Sequence, residues 1–162
     1  MEKFSGRALV VEDDHSIALL FQIHLSELGL SVDIAADAES AGLLLQNQNY
    51  SVCLLDWMLP GVQGIDLLKD VRKAKNNIKV LMITAKTDSV SVVNALESGA
   101  DDYLTKPFDY HVLIARVRNL LRRLEFEKQA IANSGIEPIK KEVESMTLQG
   151  LTIDFLDRKS VV

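Results

Sequence analysis

The amino-acid sequence predicts an α/β fold, in which an open, doubly wound parallel sheet of five strands carries helices on both faces. Short apolar, β-branched runs alternate five times with segments of helical periodicity along the chain. Hydrophobic residues make up 48% of the 162 residues, which is enough to build a buried core. Because parallel strands need crossover connections, and helices supply them, the alternation favours a parallel sheet.

The first unit consists of the strand-like run RALVVE (7–12) and an amphipathic helix. Asp14 stands where a helix N-cap belongs, and Gly29 follows the predicted end of the helix. The apolar residues between them recur at helical spacing and predict one buried face, formed by Ile17, Leu20, Phe21, His24, Leu25 and Leu28.

The next three strand–helix units follow the same pattern, with Asp37 before the second helix and Gly99 after the fourth. Their strands are predicted at 31–35, 51–56 and 79–85, and their helices at 38–48, 65–75 and 88–98.

The fifth unit combines the segment DDYLTKPF (101–108) with a helix from Asp109 to about Lys128. Right-handed crossovers then favour a flavodoxin-like (βα)5 sheet with strand order 2-1-3-4-5. A closed barrel is the alternative, but such barrels normally contain eight units. The five units therefore favour the open sheet.

The regular pattern ends near position 124, so residues 1–124 form the predicted domain. Residues 125–148 mix charges with a Ser-Gly pair and a proline, which predicts a helix extension followed by a linker. Residues 149–162 alternate apolar and polar side chains as a half-exposed strand does. No core follows to bury this strand, so we expect it to be the first piece of a further domain.

Charge and hydropathy exclude several classes of protein. The net charge is −5 and no basic cluster stands out, so these residues alone are not expected to bind nucleic acid. No apolar run approaches the ~20 residues that span a bilayer, and the start MEKFSGR lacks the apolar segment of a signal peptide. We therefore expect a cytoplasmic protein without membrane contact. The single cysteine, Cys53, lies in an apolar strand and is expected to be a buried, unreactive residue.

Acidic residues follow the first and third predicted strands. Glu12 and Asp13 end the first strand and Asp56 ends the third, and these strands flank the switch point of a 2-1-3-4-5 sheet. Three carboxylates that converge there repel one another unless a cation intervenes. Oxygen ligands of this kind suit Mg²⁺, which binds carboxylates together with water and phosphate oxygens. The cluster therefore predicts a site for Mg²⁺ and a phosphate.

The fourth and fifth strands end in groups that complement a phosphate. Thr84 offers a hydroxyl beside the small Ala85, and Lys106 offers an ammonium group. Pro107 allows a cis peptide bond that would aim the lysine inward.

At these residues the chain resembles the receiver domain of bacterial two-component response regulators. The resemblance covers residues 7–124 and depends on Glu12-Asp13, Asp56, MLPGVQG (58–64), Thr84-Ala85 and Lys106-Pro107, in that order. The segment GADDYLTKPF (99–108) is similar to the OmpR/PhoB-like subfamily, whose output domains are winged helices.

The resemblance implies that Asp56 accepts a phosphoryl group from a sensor histidine kinase. Glu12, Asp13, Asp56 and the backbone carbonyl of Met58 would hold Mg²⁺, while Thr84 and Lys106 would contact the phosphoryl oxygens. Tyr103 would be the aromatic switch that turns inward when Thr84 moves. No enzymatic turnover is expected beyond self-phosphorylation and autodephosphorylation of Asp56.

The same subfamily dimerises on phosphorylation through its fourth helix, fifth strand and fifth helix. The matching charged residues are Asp101, Asp102, Arg116 and Arg118, whereas Val92 and Val112 stand where a charged pair is common. We therefore expect a less ionic dimer. Residues 149–162 resemble the opening strand of the winged-helix DNA-binding domain, so DNA binding would need the rest of that domain.

Three other functions compete with this interpretation. A phosphohydrolase with an aspartate nucleophile would need a second aspartate where Met58 stands. An FMN-binding flavodoxin needs a phosphate loop after the first strand, where this chain is acidic. A stand-alone receiver that docks onto a partner protein is the stronger rival. Lys86 is a further hypothesis, because its position in the receiver family influences how long the phosphoryl group lasts.

Overall fold

Five parallel strands alternate with five helices in the computed structural model, which describes residues 2–134. The strands are β1 (Arg7–Val11), β2 (Ser31–Ala35), β3 (Val52–Asp56), β4 (Lys79–Thr84) and β5 (Asp102–Thr105). The helices are α1 (His15–Glu27), α2 (Ala38–Asn47), α3 (Gly64–Lys73), α4 (Ser89–Glu97) and α5 (Tyr110–Asn133). The strand order is β2-β1-β3-β4-β5, which confirms the predicted topology.

Helices cover both faces of the sheet because the buried strands are apolar on both sides. Leu9 and Val11 of β1 point into a core layer shared with α2, α3 and α4. Ala8 and Val10 of the same strand point into a second layer, which α1 and α5 cover. This period of two along a strand, with both faces apolar, is typical of a parallel sheet between two helical layers.

The helix starts follow the predicted capping residues. Asp14 accepts a hydrogen bond from the backbone N–H of Ile17 at 3.0 Å, and Asp37 accepts one from Ser40 at 2.7 Å. One prediction for α1 is wrong: Leu20 is 41% exposed, whereas Ala18, between the predicted positions, is fully buried. A small residue packs closest to the sheet, and the bulkier leucine is rotated to the edge of the apolar face.

The chain differs from its predicted boundaries mainly at α5. This helix continues to Asn133, past the predicted end at Lys128. An ion pair of 2.7 Å joins Glu127, just before the predicted end, to Lys79 at the start of β4. The predicted linker beyond 134 and the predicted strand at 149–162 lie outside the described residues. Within residues 2–134, no helix is long and apolar enough to cross a membrane.

Arg72 of α3 joins three parts of the fold. Its guanidinium donates to the carbonyls of Gly99 at 2.9 Å and Asn76 at 2.8 Å, and to Asp101 Oδ2 at 2.9 Å. Asp101 Oδ2 also accepts from the backbone N–H of Val80 at 2.8 Å. Asp101 therefore fixes the loop that leads into β5.

The loop after β3 returns closely to the strand that it leaves. The backbone N–H of Gly64 donates to the carbonyl of Trp57 at 2.8 Å. A Cβ on Gly64 would lie only 1.9 Å from the carbonyl oxygen of Asp56, so no other residue fits without a backbone shift. The start of α3 thus holds the backbone of Asp56 in place.

We expect Gly64→Ala to lower the free energy of unfolding by about 3 kcal/mol or more, because the methyl group must displace backbone rather than a flexible side chain. Urea unfolding followed by circular dichroism measures the change. Gly61→Ala is the matched control. Gly61 has φ +75° but nothing within 4 Å of an added Cβ. Its substitution should cost only about 1 kcal/mol, from the left-handed backbone. Equal losses in the two variants would contradict the tight-contact explanation.

Candidate functional site

Three carboxylates meet at the carboxyl edge of the sheet. Glu12 follows β1 and Asp56 ends β3, and these strands are paired so that Val11 lies beside Leu55. Glu12, Asp13 and Asp56 each offer an oxygen, and the three oxygens lie within 4.8 Å of one another. Glu12 is only 3% exposed and Asp56 6%, whereas Asp13 is exposed to solvent. The predicted convergence of the three acids is therefore present in the fold.

Lys106 lies against the two buried carboxylates. Its Nζ is 3.0 Å from Asp56 Oδ2 and 3.4 Å from Glu12 Oε2. The Lys106–Pro107 peptide bond is cis. Burial alone would lower the pKa of Lys106, but hydrogen bonds and charge attraction from Asp56 and Glu12 outweigh it, so the pKa is raised above its ordinary value. Lys106 is thus a stable cation at this site.

One lysine does not balance the charge of this cluster. Burial, with the neighbouring Asp56 carboxylate adding to it, raises the pKa of Glu12 to about 8, although Lys106 opposes the shift. The pocket therefore favours either a proton on Glu12 or a further cation beside the carboxylates. Carboxylate oxygens this close together, one of them open to solvent, are the ligands that Mg²⁺ prefers. The residues present fit Mg²⁺.

Backbone and hydroxyl groups complete the pocket. The backbone N–H of Met58 donates to Asp56 Oδ1 at 3.1 Å, so each oxygen of Asp56 accepts one hydrogen bond. Thr84 is fully buried at the end of β4, and its Oγ1 accepts from the backbone N–H of Lys86 at 3.2 Å. The hydroxyl proton of Thr84 is still available to a ligand, because an O–H can donate and accept at once.

Lys86 connects the pocket to two aromatic residues. Its Nζ lies 5.2 Å from the centre of the Trp57 ring, within the range of a cation–π contact. Its backbone carbonyl accepts from the Tyr103 hydroxyl at 2.6 Å, and the half-buried Tyr103 ring packs against the core layer of α2, α3 and α4. These contacts were not predicted, because they join residues that are far apart along the chain.

The residues predicted for a dimer surface do not all lie on one surface of the structure. Arg116 pairs with Asp102 at 3.0 Å, and Val112 of the same helix is 42% exposed, while Val92 is half-buried. Asp101 pairs internally with Arg72, as described above. Arg118 lies apart from these residues, in a cavity that it lines with residues of α1. Arg116 and Arg118 therefore face different sides of α5.

Cys53 and Trp57, which follow or precede the site in sequence, are parts of the buried core. Cys53 is buried, and burial raises the pKa of its thiol to about 12, as expected for an unreactive cysteine. Trp57 is buried in the same core layer as Leu59. The role of Gly64 was not predicted, although it lies in the segment MLPGVQG. Sequence alone does not show that the backbone of Asp56 passes close to this glycine.

The chain is similar to known proteins along most of its length. Residues 8–118 match the family model described as the response regulator receiver domain. The chain is 41% identical over 155 residues to the DNA-binding response regulator MtrA of Mycolicibacterium smegmatis, which covers 96% of this chain and 68% of that protein. It is 35% identical over 147 residues to the response regulator ArlR of Staphylococcus haemolyticus, covering 91% of this chain and 66% of that protein.

Solved structures show the same fold. The receiver domain of the Francisella response regulator 1452 has a TM-score of 0.69 and 39% identity, over 72% of this chain and 97% of that one. The BeF3-activated receiver domain of Klebsiella pneumoniae RstA has a TM-score of 0.67 and 29% identity, over 72% of this chain and 98% of that one. With the family match and the relatives, these likenesses show that the chain belongs to the response regulator receiver family.

Proposed function

We propose that this protein is a phosphorylation-activated receiver that works in the cytoplasm and takes a phosphoryl group from a sensor histidine kinase onto Asp56. The observation that carries this proposal is the position of Asp56. Its carboxylate lies buried at the rim of the sheet, 3.0 Å from Lys106 and in a cluster with Glu12 and Asp13. A carboxylate held in this way is a nucleophile whose product, an acyl phosphate, would find a cation already in place.

Glu12, Asp13, Asp56 and the backbone carbonyl of Met58 are the proposed ligands of Mg²⁺. When bound, Mg²⁺ supplies positive charge that offsets the carboxylates and attracts the phosphoryl oxygens. Glu12 is the ligand most dependent on this charge, because its burial and the Asp56 carboxylate favour its protonated form.

The transfer itself requires positioning more than acid–base chemistry. A carboxylate oxygen of Asp56 attacks phosphorus, a P–O bond forms, and the P–N bond to the histidine of the kinase breaks. The imidazole leaves with the bonding electron pair and takes a proton from solvent. Lys106 then pairs with the oxygens of the transferred group, and the Thr84 hydroxyl donates to one of them.

Lys86 links this chemistry to the surface. The backbone N–H of Lys86 donates to the hydroxyl of Thr84, so a phosphoryl group that draws Thr84 inward also pulls on Lys86. The backbone carbonyl of Lys86 accepts from Tyr103, so the movement reaches Tyr103 as well. Tyr103 is on β5, beside the Asp102–Arg116 pair. This chain of contacts supports Thr84 and Tyr103 as the proposed switch.

The proposed output surface combines α4, β5 and α5, on which phosphorylation would promote a homodimer. Val92 and Val112 lie on this surface, and Asp102 and Arg116 pair with each other there. The carboxylate of Asp101 is instead held by Arg72, and Arg118 faces α1. The surrounding part of α4 is unusually apolar, with Val90 80% exposed and Val93 and Leu96 also exposed. We infer a dimer that depends more on apolar contact than on ion pairs.

Control of transcription is proposed from the relatives, several of which are named DNA-binding response regulators. In this proposal residues 1–124 form the receiver domain, 125–148 connect it to the output domain, and 149–162 form the opening strand of a winged-helix DNA-binding domain.

We expect acetyl phosphate and Mg²⁺ to add one phosphoryl group to the protein and none to Asp56→Asn, because the amide is not a nucleophile. Intact-mass analysis measures the adduct. Asp37→Asn is the matched control, since asparagine caps a helix as well as aspartate does and Asp37 lies outside the pocket. A phosphoryl adduct that persists in Asp56→Asn would remove the central assignment.

Lys86→Glu should shorten the lifetime of the phosphorylated protein by about two- to fivefold, since a partly exposed charge contact is worth up to about 1 kcal/mol. Release of inorganic phosphate after removal of the phosphodonor gives the rate. Lys69→Glu, an exposed lysine of α3, should leave the rate unchanged. An unaltered rate in Lys86→Glu would remove the proposed role of the Lys86 side chain.

Val112→Asp should weaken dimerisation of the phosphorylated protein by about tenfold, since it places a charge in an apolar contact. Leu43→Asp, which changes an exposed leucine of α2, is the control and should have no effect. Sedimentation velocity at about 0.1 M and about 1 M NaCl measures the dimer while the Debye length falls from about 10 Å to about 3 Å. A steep loss of dimer at high salt would contradict the apolar interface.

A further inference from the structure

A cavity of about 350 Å³ lies between α1 and α5, apart from the carboxylate pocket. It is lined by His24, Glu27, Leu28, Tyr110, His111, Ile114 and Arg118. The pocket of Asp56 is at the carboxyl edge of the sheet, whereas His24, Glu27 and Leu28 belong to the far end of α1. None of the residues proposed for phosphoryl transfer lines this cavity.

Arg118 is unusual among the arginines of the described chain. Arg7, Arg72, Arg116, Arg122 and Arg123 each donate a hydrogen bond to a carboxylate or a backbone carbonyl. Arg118 makes no such bond within residues 2–134, and its Nε, like that of Arg116, is buried without an acceptor. Arg118 as a whole is only half-buried and lines the cavity, so its guanidinium can donate to a ligand there.

Two negative groups, Glu2 and Glu27, lie near Arg118, and neither is bonded to it. Glu2 is close enough for the charge of Arg118 to help lower its pKa, after the larger effect of Arg122, but Arg122 donates two hydrogen bonds to Oε2 of Glu2, at 3.0 Å and 2.7 Å. Glu27 lines the same cavity and lies 3.8 Å from Nδ1 of His24, a contact that is ionic only when the histidine is protonated. The guanidinium of Arg118 therefore has a planar set of donors and no carboxylate bound to it, which is the arrangement that binds an external carboxylate in two places.

The remaining walls of the cavity suit a flat, apolar group. The rings of His24 and Tyr110 stack at 4.4 Å, and Tyr110 is held edge-on by Phe108 at 5.4 Å. Ile114 adds aliphatic surface, whereas Leu28 is fully buried. The cavity thus combines aromatic and aliphatic surface with the charged groups of Arg118 and Glu27, and its volume is typical of pockets for small organic ligands, which usually measure about 300–1,000 Å³.

We propose that this cavity binds a small organic carboxylate with a flat ring. Its carboxylate pairs with the guanidinium of Arg118, and its ring lies along Tyr110 and His24. The ligand-contacting residues of α5 are in the same helix that carries Arg116 on its opposite side, so the site is placed to influence the output surface without using Asp56. The proposal is independent of phosphoryl transfer.

Titration of the full chain with benzoate, followed by ¹H–¹⁵N NMR, tests the site. We expect saturable shifts of the amide signals of Tyr110, Ile114 and Arg118, with a Kd on the order of 1 mM for a ligand of this size. Benzamide, the neutral equivalent, and inorganic phosphate, which lacks the ring, should each bind at least about tenfold more weakly. Shifts that do not saturate, or equal binding of either comparison compound, would overturn the proposal.

Variants separate the two halves of the site. Arg118→Gln should weaken benzoate binding by at least about tenfold, because it removes the charged hydrogen bonds. Arg123→Gln is the matched control and should bind as the parent does, since Arg123 is exposed and donates only to the carbonyl of Asp101. Tyr110→Leu should weaken the binding of benzoate and leave the binding of phosphate, which is weaker, unchanged. Undiminished benzoate binding by Arg118→Gln or by Tyr110→Leu would contradict the assignment.

Discussion

Repulsion between Glu12 and Asp56 is the constraint on which the rest of the structure depends. Parallel strands β1 and β3 deliver both carboxylates to one edge of the sheet, where both are buried. Water is excluded, so their charges must be met by fixed groups of the protein. Lys106 supplies a cation and the N–H of Met58 supplies a donor, and each depends on a backbone that cannot relax. The close approach of Gly64 to Asp56 is one part of that rigid frame.

The rigid frame contrasts with α4. Only Ala95 of this helix is fully buried, whereas α3, on the same face, buries most of its length. Segments with few buried apolar contacts open at low free-energy cost, and such segments are the ones that move in switching proteins. Thr84 and Lys86 connect the rigid site to the start of this loosely held helix. The fold thus separates a fixed chemical centre from a nearby element that can respond to it.

The sequence predicted those features that depend on local pattern. Strand order, helix caps and the convergence of acids at strand ends follow from periodicity and topology, and Lys106 followed from its place after β5. Leu20 was misplaced because the buried stripe of α1 runs through Ala18, Phe21 and Leu25, and Leu20 lies outside it. Asp101 and Arg118 were assigned to the dimer surface because the sequence shows their charge and their place along the chain but not the residues that surround them. Asp101 pairs with Arg72, and Arg118 lies beside α1. Both partners are distant in sequence.

Trp57 is the single tryptophan of the chain, and it follows Asp56 directly. Its ring is buried, and the ammonium group of Lys86 lies 5.2 Å from the ring centre. Indole emission responds to charges close to the ring, so the protein contains one optical reporter at the place where its chemistry is proposed to occur. Fluorescence from the whole molecule is therefore a local signal, free of contributions from any second indole. A displacement of Lys86 can be followed in real time without attaching a dye.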